Sequence, residues 1–328
     1  MGASRRTLIR WGSILALPGF LWSPTVAASA EREVAGMITE IHLGGGQVEV
    51  RSAESELWRA AAPLRTLRSG DTVSATGDAW VVLVLSGRRG VVRVDEAKSP
   101  FVVPAPPAAR GQLDKGLEIL EASFSFLSTT SGELPLATLG TRAGMKPPVI
   151  LTPHNGLVLP DALVFEWRGS QSSLYALRIV GPDGLVLERT NLATTRFEYP
   201  KSAPPLAAGV RYRFQLLPAW HPPQEVWFEL VDPDIARKIR DDLRDLEEAL
   251  GPAPSPATLV TLRAGFLAHN GLLHDARLGV VDELARQPDE PSLHCLLGDL
   301  YARQGLPEEA MESFAEARYL TSGAASAR

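Results

Sequence analysis

A pattern repeated at an offset of 34 residues constrains the C-terminal part of this chain more than any other feature. Asn270-Gly271-Leu272-Leu273-His274-Asp275-Ala276 and Gln304-Gly305-Leu306-Pro307-Glu308-Glu309-Ala310 stand at that offset. A unit of this length holds two helices and a tight turn, and it must stack on a neighbour to bury its apolar face. In the second unit, Pro291 to Ala324, small and large residues follow a set order: Leu297, Gly298, Tyr301, Ala310, Phe314 and Ala317. Gly298 and Ala310 allow the two helices to approach, while Tyr301 and Phe314 fill the space between them. The first unit keeps Leu267, Ala276, Val280 and Pro288 but has Arg263 and Ala264 where Leu and Gly stand in the second.

These positions resemble the tetratricopeptide repeat, and two such units are read over residues 257–324. The resemblance implies protein or peptide binding on a concave face lined by the first helix of each pair. Mapped by position, His269, Asp299 and Arg303 fall on or near that face and are the candidate protein-binding residues. Two units are fewer than an independent stack needs. A charged helix from Asp234 to Leu250, started by Asp232-Pro233-Asp234 and stopped by Gly251-Pro252, is expected to cap them, so 233–256 reads as cap and linker.

The chain opens with Ser4-Arg5-Arg6-Thr7-Leu8-Ile9-Arg10, an apolar run from Trp11 to Trp22, and the small residues Ala28-Ser29-Ala30. A basic start, a short apolar run and a small-residue cleavage site make residues 1–30 an export signal. Its paired arginines resemble the twin-arginine signal, with ordinary secretion as the alternative; an uncleaved anchor is the further alternative, disfavoured because about a dozen apolar residues are too few to span roughly 30 Å of hydrocarbon comfortably. Past residue 30 the longest apolar run is Ala79 to Leu85, so no integral membrane span is expected after the signal is removed. The predicted location is the periplasm or another exported site in a bacterial envelope.

From 31 to 103 the chain carries strand signals only four to seven residues long, separated by turns such as Ser69-Gly70-Asp71 and Ser86-Gly87-Arg88. Short strands between turns predict a small antiparallel module that closes on itself, with Trp58 and Trp80 as its apolar anchors. Gly44-Gly45-Gly46 precedes a strand and not a helix, so it reads as a β-turn and not a phosphate loop. Val48-Glu49-Val50, Trp58, Leu67-x-x-Gly70-Asp71-Thr72-Val73 and Trp80 to Gly87 resemble the FecR-like periplasmic domain, with Ser86-Gly87-Arg88 at the family's "dgs" hairpin. That resemblance implies an envelope domain of sensing or interaction type without catalysis.

Residues 104–147 begin with Pro104-Ala105-Pro106-Pro107-Ala108-Ala109, a stiff spacer, and continue into an amphipathic helix with apolar residues at 113, 117, 120, 124 and 127. Phe124 and Phe126 are expected to cover a domain edge. Pro135 to Arg142 resembles the segment that trails the FecR-like domain. From 148 to 232 strand signals recur every eight to fifteen residues, the spacing of a sandwich. Strict alternation from Val210 to Leu216 sets one face inward. Pro205-Leu206 followed by Gly209-Val210-Arg211-Tyr212-Arg213-Phe214 resembles immunoglobulin-like and fibronectin type III-like envelope domains, which makes Trp167 the central core tryptophan.

The fold class expected is therefore multidomain β + α: a small N-terminal β module, a central antiparallel β-sandwich and C-terminal α-helical hairpins. The chain has 328 residues, 45% hydrophobic and 22% charged, which is globular and not disordered. A net charge of −5 with no basic stripe argues against nucleic acid. The single cysteine, Cys295, excludes an internal disulfide and reads as a buried small hydrophobe. His269 and His274 are five apart, whereas helical zinc pairs are spaced by four, so no metal is expected; nor is a cofactor.

No nucleophile elbow, zinc signature, Walker loop or dinucleotide turn occurs, so no catalytic residue is assigned. The expected function is a non-catalytic exported protein-interaction adaptor or scaffold, working through its β modules and the short helical array on a protein or peptide partner. The alternatives are a periplasmic sensor or regulator of FecR type, and a cell-wall (peptidoglycan) binding protein that uses Trp58 or Trp80 if exposed.

Overall fold

The computed structural model describes residues 34–87, 90–106, 115–130, 147–161, 163–170, 173–251 and 254–322. The predicted signal, the Pro135 to Arg142 segment and Arg88 of the expected hairpin lie outside the described residues.

The first β module has eight strands: β1 (Val34–His42), β2 (Gln47–Arg51), β3 (Trp58–Ala60), β4 (Thr66–Arg68), β5 (Thr72–Thr76), β6 (Trp80–Leu85), β7 (Val91–Val94) and β8 (Phe101–Val102). They form two antiparallel four-stranded sheets, ordered β4-β1-β6-β7 and β3-β2-β5-β8. Ile38, Ile41, Val50, Leu67, Val73, Val81 and Leu83 are buried in one core that both sheets share. The turn between β1 and β2 contains the glycine run. Gly46 is required there because an added Cβ would lie 1.7 Å from the Thr76 carbonyl oxygen.

The two tryptophans expected as anchors are not in this core. Trp58 is 37% exposed with the Arg51 guanidinium 4.9 Å from its ring, and Trp80 is stacked between the His42 imidazole at 3.8 Å and the Arg93 guanidinium at 4.1 Å. In β6 the inward positions are Val81, Leu83 and Leu85, so Trp80 falls on the opposite face, and β3, which carries Trp58, is an edge strand exposed along its length. Strand β1 is buried on both faces, and a register shift between Ile38 and Glu40 has a consequence. The bulge turns Thr39 and Glu40 away from the core between the sheets toward the helices, while Ile38 and Ile41 stay inside.

After the helix α1 (Lys115–Ser128) come β9 (Val149–Thr152), β10 (Gly156–Val158), β11 (Val164–Arg168), β12 (Tyr175–Gly181), β13 (Gly184–Leu192), β14 (Arg196–Glu198), β15 (Arg211–Pro218) and β16 (Gln224–Leu230). They make a sandwich of a five-stranded sheet, β10-β16-β15-β12-β13, on a three-stranded one, β14-β11-β9. Pairing is antiparallel except between β10 and β16. Tyr212, Phe214 and Leu216 point inward from β15, as their alternation requires. Trp167 is 2% exposed and meets Tyr175 edge to face, the central position expected of it.

The remaining helices are α2 (Pro233–Leu250), α3 (Pro256–His269), α4 (Leu273–Leu284), α5 (Pro291–Arg303) and α6 (Pro307–Thr321). Proline in the first turn opens α2, α3, α5 and α6, and the side chains of Asp232, Ser255 and Glu290 accept backbone N–H bonds at the starts of α2, α3 and α5. In the α5–α6 pair an added Cβ at Gly298 would fall 2.7 Å from the Phe314 ring, so this glycine sets how closely the two helices pack. Cys295 is fully buried.

Helix α1 belongs to this helical group. An added Cβ would lie 2.4 Å from Ala249 Cβ at Gly116, and 2.9 Å from Leu127 Cγ at Gly265, so two glycines admit α1 between α2 and α3. Lys115 bonds Asp242 and Asp245 at 2.7 and 2.9 Å, and Phe124, Phe126 and Leu127 are buried in the helical core. Those phenylalanines are thus core residues and not an edge cover. The α3 helix packs more extensively on α1 than on α2. Met37, Leu64 and Val84 of the first module join the helical core from one direction, and Leu151, Leu157 and Leu159 of the sandwich pack on it as well.

Candidate interaction surface

Asp299 and Arg303 stand one turn apart on α5, and the structure brings them together: Arg303 Nε donates to Asp299 Oδ2 at 2.7 Å. The chain just after α1 bonds to both. Arg303 also donates to Thr129 Oγ1 at 2.7 Å, Thr130 Oγ1 donates to Asp299 Oδ2 at 3.3 Å, and the Arg303 guanidinium lies 4.3 Å from the Phe126 ring. His269, at the last turn of α3, is exposed and takes no part in that network. Two of the three residues expected on a binding face are therefore engaged within the chain.

Between β11 and the α5–α6 pair lies an open cleft of about 500 Å³. Its apolar wall is made by Leu151, Trp167, Leu297 and Tyr301. Glu309, Glu312 and Glu316 line it from α6, and β11 contributes Arg168. Arg168 pairs with Glu309 at 2.7 Å and Glu312 at 3.1 Å, with Glu308 at 3.7 Å. The lining thus carries three carboxylates, the Arg168 guanidinium and the His294 imidazole. The buried Trp167 Nε1–H has no hydrogen-bond partner among the described residues. Sequence reasoning missed this site because Arg168 and Glu312 are 144 positions apart. The only local signal was the Glu308-Glu309-x-x-Glu312 spacing along one helix face.

Buried polar contacts set the position of the sandwich against the helices. Glu166 on β11 accepts from Arg196 at 2.5 Å and from Arg277 of α4 at 2.6 Å, and Arg277 Nε donates to the Tyr301 hydroxyl at 3.2 Å. His274 is fully enclosed and hydrogen-bonded to Thr152 Oγ1. Burial, and then the charge of Arg277, depress its pKa to about 3. The carboxylate of Asp275 accepts the Leu159 N–H at 3.0 Å, and burial pushes its pKa up to about 7.

The two shifts act on stability in opposite directions. The depressed His274 keeps its full contribution above its ordinary value near 6.5 and loses it as pH falls toward 3. The raised Asp275 carries no cost below its ordinary value near 3.8 and a growing one as pH rises to about 7. Asp275→Asn keeps an acceptor for Leu159 and removes the charge. We expect it to match the natural chain at pH 4 and to exceed it at pH 8 by roughly 2 kcal/mol, after allowance for screening at a half-buried site. Loss of a first-turn carboxylate offsets this by only about 0.5 kcal/mol. Urea unfolding at the two pH values tests it, and equal differences at both would refute the assignment.

Among the described residues no helix is long and apolar enough to cross a membrane. No family model matches the chain, and no curated protein matches it.

Proposed function

We propose that this protein is a non-catalytic, exported adaptor of the bacterial envelope that holds a cationic peptide segment of a partner protein in the cleft between β11 and α6. The observation that carries this reading is the cleft: an apolar wall for one or two side chains and a lining with more glutamates than arginines. Such a site suits an extended segment with a Lys or Arg beside an aliphatic residue. Asp299 and Arg303 of α5 are already bonded to each other and to Thr129 and Thr130, which favours the cleft as the partner's site. Export rests on the Ser4 to Arg10 signal and the apolar run after it. The FecR-like, immunoglobulin-like and tetratricopeptide resemblances fit the same reading, since each implies interaction and not catalysis.

The test is retention of the full chain on an array of short peptides that vary in charge. Basic peptides should hold it and acidic ones should not. Charge reversal by Glu312→Lys with Glu316→Lys should weaken binding at least tenfold, whereas His269→Ala should leave it unchanged. Retention insensitive to the reversal would reject the cleft. If no peptide is held but the chain sediments with peptidoglycan, and Trp58→Ala abolishes that, the function moves to the first β module.

A further inference from the structure

Where β1 of the first module meets the starts of α3 and α5, two carboxylates and an imidazole converge. The bulge at Thr39 leaves Glu40 and His42 on the strand face that meets the helices, and Glu290 caps α5. One ligand atom from each of Glu40, His42 and Glu290 lies within 4.8 Å of the others. Glu40 is 2% exposed and Glu290 is 1% exposed. Burying two carboxylates side by side is costly unless one takes up a proton or a cation accompanies them. Their other contacts here are neutral donors: Ser255 and Thr258 hydroxyls to Glu40 Oε1, and the Ser292 N–H to Glu290 Oε1 at 3.0 Å.

The geometry points to a divalent transition-metal site of the zinc class, held by Glu40, His42 and Glu290, that staples the first β module to the helices. Glu290 Oε2 is fully enclosed, accepts no backbone or hydroxyl hydrogen bond among the described residues, and faces the His42 imidazole. His42 Nε2 is 3.3 Å from that oxygen. That separation is the edge of a tetrahedron whose metal bonds are about 2.0–2.1 Å long, the values for zinc with imidazole and carboxylate ligands. The second oxygen of Glu290 is fixed by a backbone donor and Glu40 by two hydroxyls, the outer contacts that orient metal-binding carboxylates. Stacking on Trp80 holds the His42 ring in place. His42 is partly exposed, which gives an ion a path in and leaves room for water as a fourth ligand. An imidazole donor favours a first-row transition ion over magnesium or calcium, which prefer all-oxygen sites. A protonated His42 would offer one positive charge against two carboxylates, whereas a divalent ion matches both.

The experiment is equilibrium dialysis of the untagged full chain, first stripped with chelator, against zinc chloride, and then against magnesium. We expect one equivalent of zinc bound and none of magnesium. His42→Ala, a partly exposed position whose folding is checked by circular dichroism, should weaken zinc binding at least tenfold, and Glu290→Gln should do the same. Zinc should raise the thermal midpoint of the natural chain and leave that of His42→Ala unmoved. If Glu290→Gln fails to fold, the His42 variant alone decides. No zinc bound by the natural chain, or equal binding by His42→Ala, overturns the site.

Discussion

Arg277→Ala is expected to destabilise the folded chain by about 3–5 kcal/mol, the range for removing one partner of a buried ion pair. Arg277 is 3% exposed, and its guanidinium serves two partners at once, Glu166 at 2.6 Å and the Tyr301 hydroxyl at 3.2 Å. Removal leaves Glu166 with Arg196 alone and strips the tyrosine of its donor. Arg277→Lys should not recover the loss, because a single ammonium cannot reproduce the spread of Nε and Nη1 toward two acceptors. Glu166→Gln keeps an acceptor for Arg196 and lowers the charge left behind, so the double variant Arg277→Ala with Glu166→Gln should be less unstable than the sum of the two singles. A coupling of roughly 2 kcal/mol is expected from a cycle of this kind. Denaturant unfolding of the four proteins measures it. A cost below about 1 kcal/mol for Arg277→Ala would mean that the pair is solvated and does not lock the sandwich to the helices.

Gly265→Leu should expel α1 from the helical core. At that position an added Cβ alone lies 2.9 Å from Leu127 Cγ and 3.1 Å from the Ser123 carbonyl oxygen, so a full leucine side chain has no room while α1 stays. Displacing α1 takes Phe124, Phe126 and Leu127 out of the core together, and each large apolar side chain removed from a core costs about 2–5 kcal/mol. Hydrogen exchange over Lys115–Ser128 should rise toward that of an unfolded segment, and the thermal midpoint should drop by ten degrees or more. Gly279→Ala is the control. Gly279 is exposed on α4 with no atom within 4 Å of its added Cβ, and alanine there should stabilise by about 1 kcal/mol through helix propensity alone. Unchanged protection of α1 in Gly265→Leu would mean that α1 does not depend on the close approach.

Displacement of α1 would have a second effect on the α5 surface. Arg303, already exposed, and Asp299 would lose Thr129, Thr130 and the Phe126 ring, and Asp299 would become accessible. Peptide binding in the cleft should survive, because its wall and its glutamates come from β9, β11, α5 and α6. A Gly265→Leu chain that folds and still binds basic peptides would therefore separate the two surfaces.

Much of the architecture was legible as local pattern. The 34-residue offset marks the two helix pairs, and the need for Gly298 opposite Phe314 follows from two helices that must touch. Alternation along Val210 to Leu216 decides which side chains of β15 face inward, and proline with a capping side chain decides where α2, α3 and α5 begin. Each of these is a short-range rule, satisfied within one element or between neighbours in sequence.

What only the tertiary structure decided is which buried surface meets which. Periodicity marks α1 as amphipathic but does not say that its apolar stripe belongs between α2 and α3. A register shift in β1 faces Glu40 toward Ser255, 215 positions away, and brings His42 to Glu290. The cleft likewise exists only because β11 packs beside α6. A residue's tendency to be buried or exposed is set by its own chemistry and its near neighbours, and so is written along the chain. The partner it is buried against is set by how whole elements pack, where one bulged residue or one missing Cβ redirects every contact after it.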